Sequence, residues 1–316
     1  MEQSLLKHAA PDFVEPVLYP VRTGGKRVRP ALTILSCLAS GGREELAYPA
    51  AIAVELVHNY SLILDDIIDH SELRRGQPTL WKKYGLTTAI LVAVHYRETV
   101  SEVLNESPNP TLFHEIIART VKLLVDGERL DVLMEQAGRE DEPYVVSHRR
   151  SKVTLQDYLE MVSRKTALLI QTSCELGALS AGAPKDYVDA LRDYGYNLGI
   201  AFQIGDDIID IFGREEKTGK AVGGDIREHK LGNIVLLLAI EEGREDLRRY
   251  LTKSVLTSED VAAAIEAVKS TAARERAEKM RKHYAERAIQ ALKALPRSEY
   301  RELLEEVATF IMEREF

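Results

Sequence analysis

The stretch SLILDDIIDH, residues 61 to 70, sets three aspartates into a run that is otherwise mostly leucine and isoleucine, and AFQIGDDIIDIF, residues 201 to 212, repeats the same pentapeptide in the other half of the chain. Read as helix, the first copy puts Asp65 and Asp69 four residues apart and Asp66 and Asp69 three apart, so the carboxylates share one sector of surface. Like charges at that spacing repel. Leu62, Ile63, Leu64, Ile67 and Ile68 surround them, a composition that belongs to a buried helix. Carboxylates in such a setting need cations or metal. One copy alone would most simply be a solvated acidic face; two identical copies inside apolar flanks argue for a site.

Composition sets the frame. The chain has 316 residues, 45% hydrophobic and 29% charged, the balance of an ordinary globular protein with a sizeable core. A formal charge of -8 argues against a nucleic-acid surface. Cys37 and Cys174 are the only cysteines, without CxxC or metal spacing, which predicts packed thiols in a reducing cytoplasm. No apolar run reaches the 18 or so residues of a membrane span, and the start, MEQSLLKHAAPDF, lacks the pattern of a secretion signal.

Apolar residues recur at three and four through YPAAIAVELVHNYSLILDDIID, TLFHEIIARTVKLLVDGERLDVLMEQA and TLQDYLEMVSRKTALLIQTSCELGALSAG, and alternating strand patterns are essentially absent. Breaks fall at RTGGKRVRP, SGGRE, NESPNPT, GAPKD and GREEKTGKAVGGD. Residues 138 to 152, GREDEPYVVSHRRSK, read as an exposed polar excursion. Because no linker separates halves, the expectation is all-α: a single helical domain over residues 1–316, a large bundle with both aspartate runs facing a central cavity.

Aspartates alone suit hard ions, and Mg²⁺ takes one or two carboxylates while phosphate oxygens complete its shell. A phosphorylated substrate calls for basic residues nearby. GGKRVRP supplies Lys26, Arg27 and Arg29 beside glycine amides that can line an anion site; SELRRGQP supplies Arg74 and Arg75; KTGKAVGGDIREHK supplies Lys217, Lys220 and Lys230. Taken singly, each cluster reads as well as a solvated loop. Glu55 and His58 have the Glu-x-x-His spacing of a di-iron bundle, but no second pair accompanies them. Calcium loops are excluded, since the aspartates stand at helix spacing without the central glycine.

GGKRVRP at 24 to 30, His58, DDIID at 65 to 69 with RRG at 74 to 76, GERLD at 127 to 131, RKT at 164 to 166, GIAFQIGDDIID at 199 to 210 and the lysines at 220 and 230 follow one another along nearly the whole chain. In this order they resemble the trans-type isoprenyl diphosphate synthases, also called polyprenyl synthetases. The resemblance implies an isoprenoid-synthase bundle, usually homodimeric. It implies Mg²⁺-dependent head-to-tail condensation of isopentenyl diphosphate with allylic diphosphates of C5 to C15, by ionisation, condensation and elimination. It further implies three Mg²⁺ per site, two held by Asp65 and Asp69 and a third by Asp206, with Asp66, Asp207 and Asp210 in support. Lys26, Arg29, His58 and Arg75 would bind isopentenyl diphosphate; Arg74, Lys165, Thr166, Gln203, Lys220 and Lys230 would bind the allylic diphosphate. Phe202 reads either as pocket lining or as plain core. Ionising an allylic C–O bond loads charge onto the leaving diphosphate, so fixed cations there lower the barrier.

Product length should follow from an apolar tunnel beneath the first run. Ser61 lies four residues before Asp65, and Tyr60 lies five before it, roughly 7 Å down the axis. An aromatic and a small residue in those places resemble the pattern of archaeal-type geranylgeranyl diphosphate synthases, which implies a C20 product, with C15 as the alternative. Three departures stand out: Ala93 and Val94, followed by His95, where the family usually reads Gly-Asp; Glu128 in place of a usual glutamine; and LGNI after Lys230. Val94 joins Tyr60 and Ser61 as a candidate for length control. A class I terpene cyclase would lack GKRxRP and the second aspartate run, and a silent regulatory subunit usually loses an aspartate run; this chain keeps both.

Overall fold

The computed structural model describes residues 1–213 and 222–313. Helix is nearly the only regular structure in them, as the periodicity predicts. Among the described residues the sheet content is one hairpin, β1 (Leu73–Arg74) antiparallel to β2 (Gln77–Pro78), and one isolated bridge between Glu135 and Lys230. The chain divides into two compact units, the first made of Met1–Val121, Leu169–Gly195 and Leu292–Leu304, the second of Lys122–Leu168, Tyr196–Ala291 and the residues from Glu305 on.

In the first unit α1 (Glu2–Leu6), α2 (Val14–Arg22), α3 (Val28–Ala39), α4 (Glu44–Ile68), α5 (Leu80–Tyr84) and α6 (Leu86–Leu104) follow in order. The long α4 is the spine. Glu44 and Glu45 in its first turn complement the helix dipole, and Ala53, Val54, Leu56, Val57 and Tyr60 are buried along one side, where α3 and α6 pack. Both α1 and α2 are tied to α6: His95 Nε2 lies 2.7 Å from the Leu5 carbonyl, and the Tyr96 hydroxyl donates to the Val17 carbonyl. The opposite edge of α6 is apolar and exposed at Leu86, Ile90, Leu91 and Val94.

α7 (Pro110–Leu133), α8 (Pro143–His148), α9 (Leu155–Val162), α10 (Leu168–Ser180) and α11 (Lys185–Phe212) follow. The core of the second unit gathers around the helix Ile234–Glu241, whose residues 234 to 240 are all buried, with Leu130, Met134, Tyr158, Met161, Ile204 and Ile208 against it. Full burial of side chains this size is worth about 1.5–3 kcal/mol each.

The segment 138–152 is mostly exposed, as its polar composition predicts, and it is ordered around α8. Several of its polar groups are bonded within the unit: Arg139 bonds Glu135 and Glu142, Arg149 bonds the Gly138 carbonyl, and the Arg150 carbonyl accepts from Gln136. Val145 is buried and anchors the segment.

Candidate active site

The first aspartate run closes α4. Asp65 is half-buried, Asp66 is buried at 5% exposure, and half-buried Asp69 is the residue that ends the helix. The three carboxylates are therefore not equivalent. Arg74, brought back by the hairpin, donates to both oxygens of Asp66 at 2.8 and 3.0 Å and reaches Asp65 at 3.4 Å. Burial raises the Asp66 carboxyl even so, with Arg74 drawing the other way.

The loop before α3 supplies the neighbouring cations. Gly25, at φ +135°, lies so close to the Arg75 guanidinium that a Cβ would stand 3.1 Å from both terminal nitrogens, and Arg75 donates to the Gly24 carbonyl. A side chain there would be strained by the backbone conformation and would press on the guanidinium. Arg27 turns inward instead: in a left-handed conformation, φ 51°, it pairs with buried Glu55, which also accepts from Asn59 at 3.0 Å. That arrangement removes the di-iron reading, because Glu55 is already occupied. Lys26 is exposed and Arg29 half-buried. Burial, then the charges of Arg29, Arg75, Arg74 and Arg27, hold the His58 imidazole well below its usual range. A neutral His58 offers one N–H to an anion. Arg74, Arg75, Asp66, Asn59, Leu62 and Ile63 help line a small pocket open to solvent. Of the length-control candidates, Tyr60 is 7% exposed with no bonding partner for its hydroxyl among the described residues, Ser61 is half-buried and bonds the His58 carbonyl, and Val94 is 56% exposed. Ala93, at 4%, takes the inward place on α6. Val94 projects from the outer edge of this chain and does not line its interior.

The second run lies in α11, and its aspartates also differ. Asp206 is half-buried. Asp207, 3% exposed, accepts from the Tyr158 hydroxyl at 2.8 Å, Gln203 Nε2 at 2.9 Å and the Ile234 amide at 3.0 Å, while burial pushes its carboxyl well up. Asp210 accepts from the amides of Gly224 at 2.9 Å and Asp225 at 3.2 Å, and burial, followed by the charge of Asp225, pushes it up to about 8. Thr166 donates to Gln203 at 2.8 Å, so Thr166, Gln203 and Asp207 form one chain of bonds.

Between α9 and α10 the residues Ser163–Ala167 make a single π turn. Such turns interrupt a helix where a side chain must be aimed. Gly127 of α7 packs into it, leaving no room for a methyl group: a Cβ there would fall 2.4 Å from the Lys165 nitrogen. Lys165 bonds Asp131 at 2.6 Å and Glu128 at 2.8 Å; Lys230 lies 3.5 Å from the same Asp131 and 2.9 Å from Glu228. Burial would raise Asp131, but the two ammonium groups bring it down to about 2. Lys220, and Lys217 beside it, lie outside the described residues.

Several of these residues carried no role in the sequence reading. Asp131 stood inside GERLD without one; Asn233, which caps the helix Ile234–Glu241 and bonds Asp225 at 2.8 Å, was legible only as a departure in LGNI. Among the described residues no group of three or more His, Cys, Asp or Glu side chains can hold a metal by itself. The donor chemistry nevertheless fits Mg²⁺: half-buried Asp65, Asp69 and Asp206 offer oxygen only, and phosphate oxygens would complete the shell.

A family model for polyprenyl synthetase matches residues 10–268. The chain is 36% identical over 301 residues to the short chain isoprenyl diphosphate synthase of Methanothermobacter thermautotrophicus, covering 93% of this chain and 88% of that protein. It is 35% identical over 304 residues to heptaprenyl diphosphate synthase component 2 of Geobacillus stearothermophilus, covering 96% and 90%. Among solved structures, the geranylgeranyl pyrophosphate synthetase of Pyrococcus horikoshii superposes with a TM-score of 0.86 at 32% identity, over 99% of this chain and 95% of that one. All-helical architecture with two aspartate runs and carboxylate-held lysines marks an isoprenoid synthase. The chain belongs to the polyprenyl synthetase family, a trans-prenyltransferase that elongates prenyl chains. No helix among the described residues is long and apolar enough to cross a membrane.

Proposed function

We propose that the chain is a single catalytic domain over residues 1–316 that condenses isopentenyl diphosphate head to tail with allylic diphosphates and that its product is C20, geranylgeranyl diphosphate. The observation that carries the reading is the pair of lysines, Lys165 and Lys230, sharing buried Asp131. Cations fixed before the substrate arrives need no reorganisation as charge develops on the leaving diphosphate.

Asp65 and Asp69 would hold two Mg²⁺ and Asp206 a third, which would supply positive charge to the leaving diphosphate. Asp66, Asp207 and Asp210 orient the rest: Asp66 aims Arg74, Asp207 holds Gln203, and Asp210 anchors the amides of Gly224 and Asp225. Arg74, Lys165, Thr166, Gln203, Lys220 and Lys230 would bind the allylic diphosphate. Lys26, Arg29, Arg75 and neutral His58 would bind that of isopentenyl diphosphate. Buried Tyr60 would stop the growing chain. The exposed stripe Leu86, Ile90, Leu91 and Val94 would form the contact of a homodimer.

The test is the reaction itself: purified protein, Mg²⁺, isopentenyl diphosphate and each allylic primer from C5 to C15 in turn, with products resolved by mass. A dominant C20 product supports the whole reading. C15, or a product beyond C20, leaves the enzyme class and removes Tyr60 as the stop. No condensation with any primer would favour a partner-dependent component, the kind of protein that the name of the G. stearothermophilus relative describes.

A further inference from the structure

Glu135 and Lys230 sit opposite one another in the isolated antiparallel bridge. Bonds on either side fix the pairing: the Gln136 amide donates to the His229 carbonyl at 2.9 Å, and the Leu231 amide to the Met134 carbonyl at 3.3 Å. Directly opposed residues project to the same side with Cβ atoms about 4.5–5.5 Å apart. Glu135 is buried, 5% exposed, and a buried carboxylate facing an ammonium tends to pair with it. Here the Lys230 charge is felt at Glu135, but the closest bonds of the two groups go to other residues. Lys230 lies on Asp131 and Glu228, and Arg139 takes Glu135 with a bidentate fork, Nε to Oε2 at 2.6 Å and Nη2 to Oε1 at 2.9 Å.

Arg139 is built into that position. Its backbone is left-handed, φ 61°, after Gly138 at φ 78°, a conformation uncommon for a long side chain. The side chain is 11% exposed, and its remaining terminal nitrogen bonds Glu142 at 3.0 Å. The polar segment that begins at Gly138 thus delivers one guanidinium to one carboxylate beside the site.

We propose that Arg139 is a positioning residue for Lys230: by occupying the Glu135 carboxylate it keeps the lysine's ammonium available to the substrate diphosphate. The inference rests on the reading of Lys230 as a residue that binds the allylic diphosphate. Without Arg139, Glu135 takes Lys230, across the bridge, as its counter-charge.

Steady-state kinetics on the full chain decide it, comparing wild type with K230M, R139M, E135Q and the double variant R139M/E135Q, each with a thermal melt. Expected for R139M is an allylic KM raised about tenfold while the KM for isopentenyl diphosphate stays within about twofold. Adding E135Q returns the allylic KM to within about threefold of wild type, because the competing charge is gone. If K230M leaves the allylic KM unchanged, the reading of Lys230 itself falls. If K230M raises it but R139M does not, or if the rise in R139M persists in the double variant, the positioning role is overturned and Arg139 only stabilises the fold. Where R139M is too unstable to assay, R139K replaces it, since lysine keeps the charge but loses the fork; a rise of about threefold, rescued by E135Q, is expected, and no rise overturns the proposal.

Discussion

Tyr158 donates its phenolic proton to Asp207 across 2.8 Å inside the core of the second unit. The bond belongs to a set of donors, with Gln203 and the Ile234 amide, that keeps the second residue of the aspartate run turned inward. Tyr158→Phe removes one donor from a buried carboxylate, which costs about 1–3 kcal/mol. Chemical denaturation should register that loss, with the product distribution unchanged because the tunnel-side residues are untouched. A melt identical to wild type would mean the bond contributes nothing net.

Asp210 gives the fold a pH dependence. Its folded-state pKa, near 8, lies above the ordinary carboxylate value, so the native protein holds a proton that the unfolded chain releases. The stabilisation is complete below about pH 4 and is lost as pH rises to about 8, by up to about 1.4 kcal/mol per pH unit. In metal-free protein, wild type should therefore lose stability across that window relative to Asp210→Asn. Parallel curves for the two proteins would contradict the assignment.

Gly127→Ala should be among the most damaging small substitutions in the chain. The added methyl falls on the Lys165 nitrogen, and the π turn has to move. Overpacking of this kind costs about 1–3 kcal/mol, and the displaced lysine should lower kcat at least about tenfold. Activity within twofold of wild type would show that the turn tolerates displacement.

Tyr60→Ala tests the chain stop. Truncating a buried aromatic costs about 3–5 kcal/mol and leaves a cavity in α4. Products longer than C20 should appear in the mass profile; an unchanged profile in a folded variant would assign length control elsewhere.

The sequence carried the helices and both acidic runs because their signals are local: apolar spacing, Ala and Leu content, and the repeated pentapeptide. Local pattern alone did not distinguish Asp65 from Asp66, which only the family resemblance separated, since adjacent residues share flanks and Arg74, eight positions after Asp66, draws that one inward. Lys26, Arg27 and Arg29 read as one basic cluster until Glu55, 28 residues from Arg27, claims that arginine alone. Residues 138–152 are mostly exposed, as their composition indicates, but their order was not legible. Their charges pair with one another, with Glu135 just beyond α7 and with Asp157, and composition does not show pairing.

The π turn at Ser163–Ala167 has a further consequence for how this protein can vary. A turn of this kind accommodates an extra residue, and each residue advances an α-helix by about 100°. Deleting one residue there would heal the helix into regular geometry with both flanks near their present phase, yet the residues of the turn itself would be re-aimed. Thr166 would swing off Gln203 while Tyr158 kept its place. Locally the chain would become more regular and Lys165 and Thr166 would lose their aim, so the irregular turn is a setting of direction that a change of length there destroys.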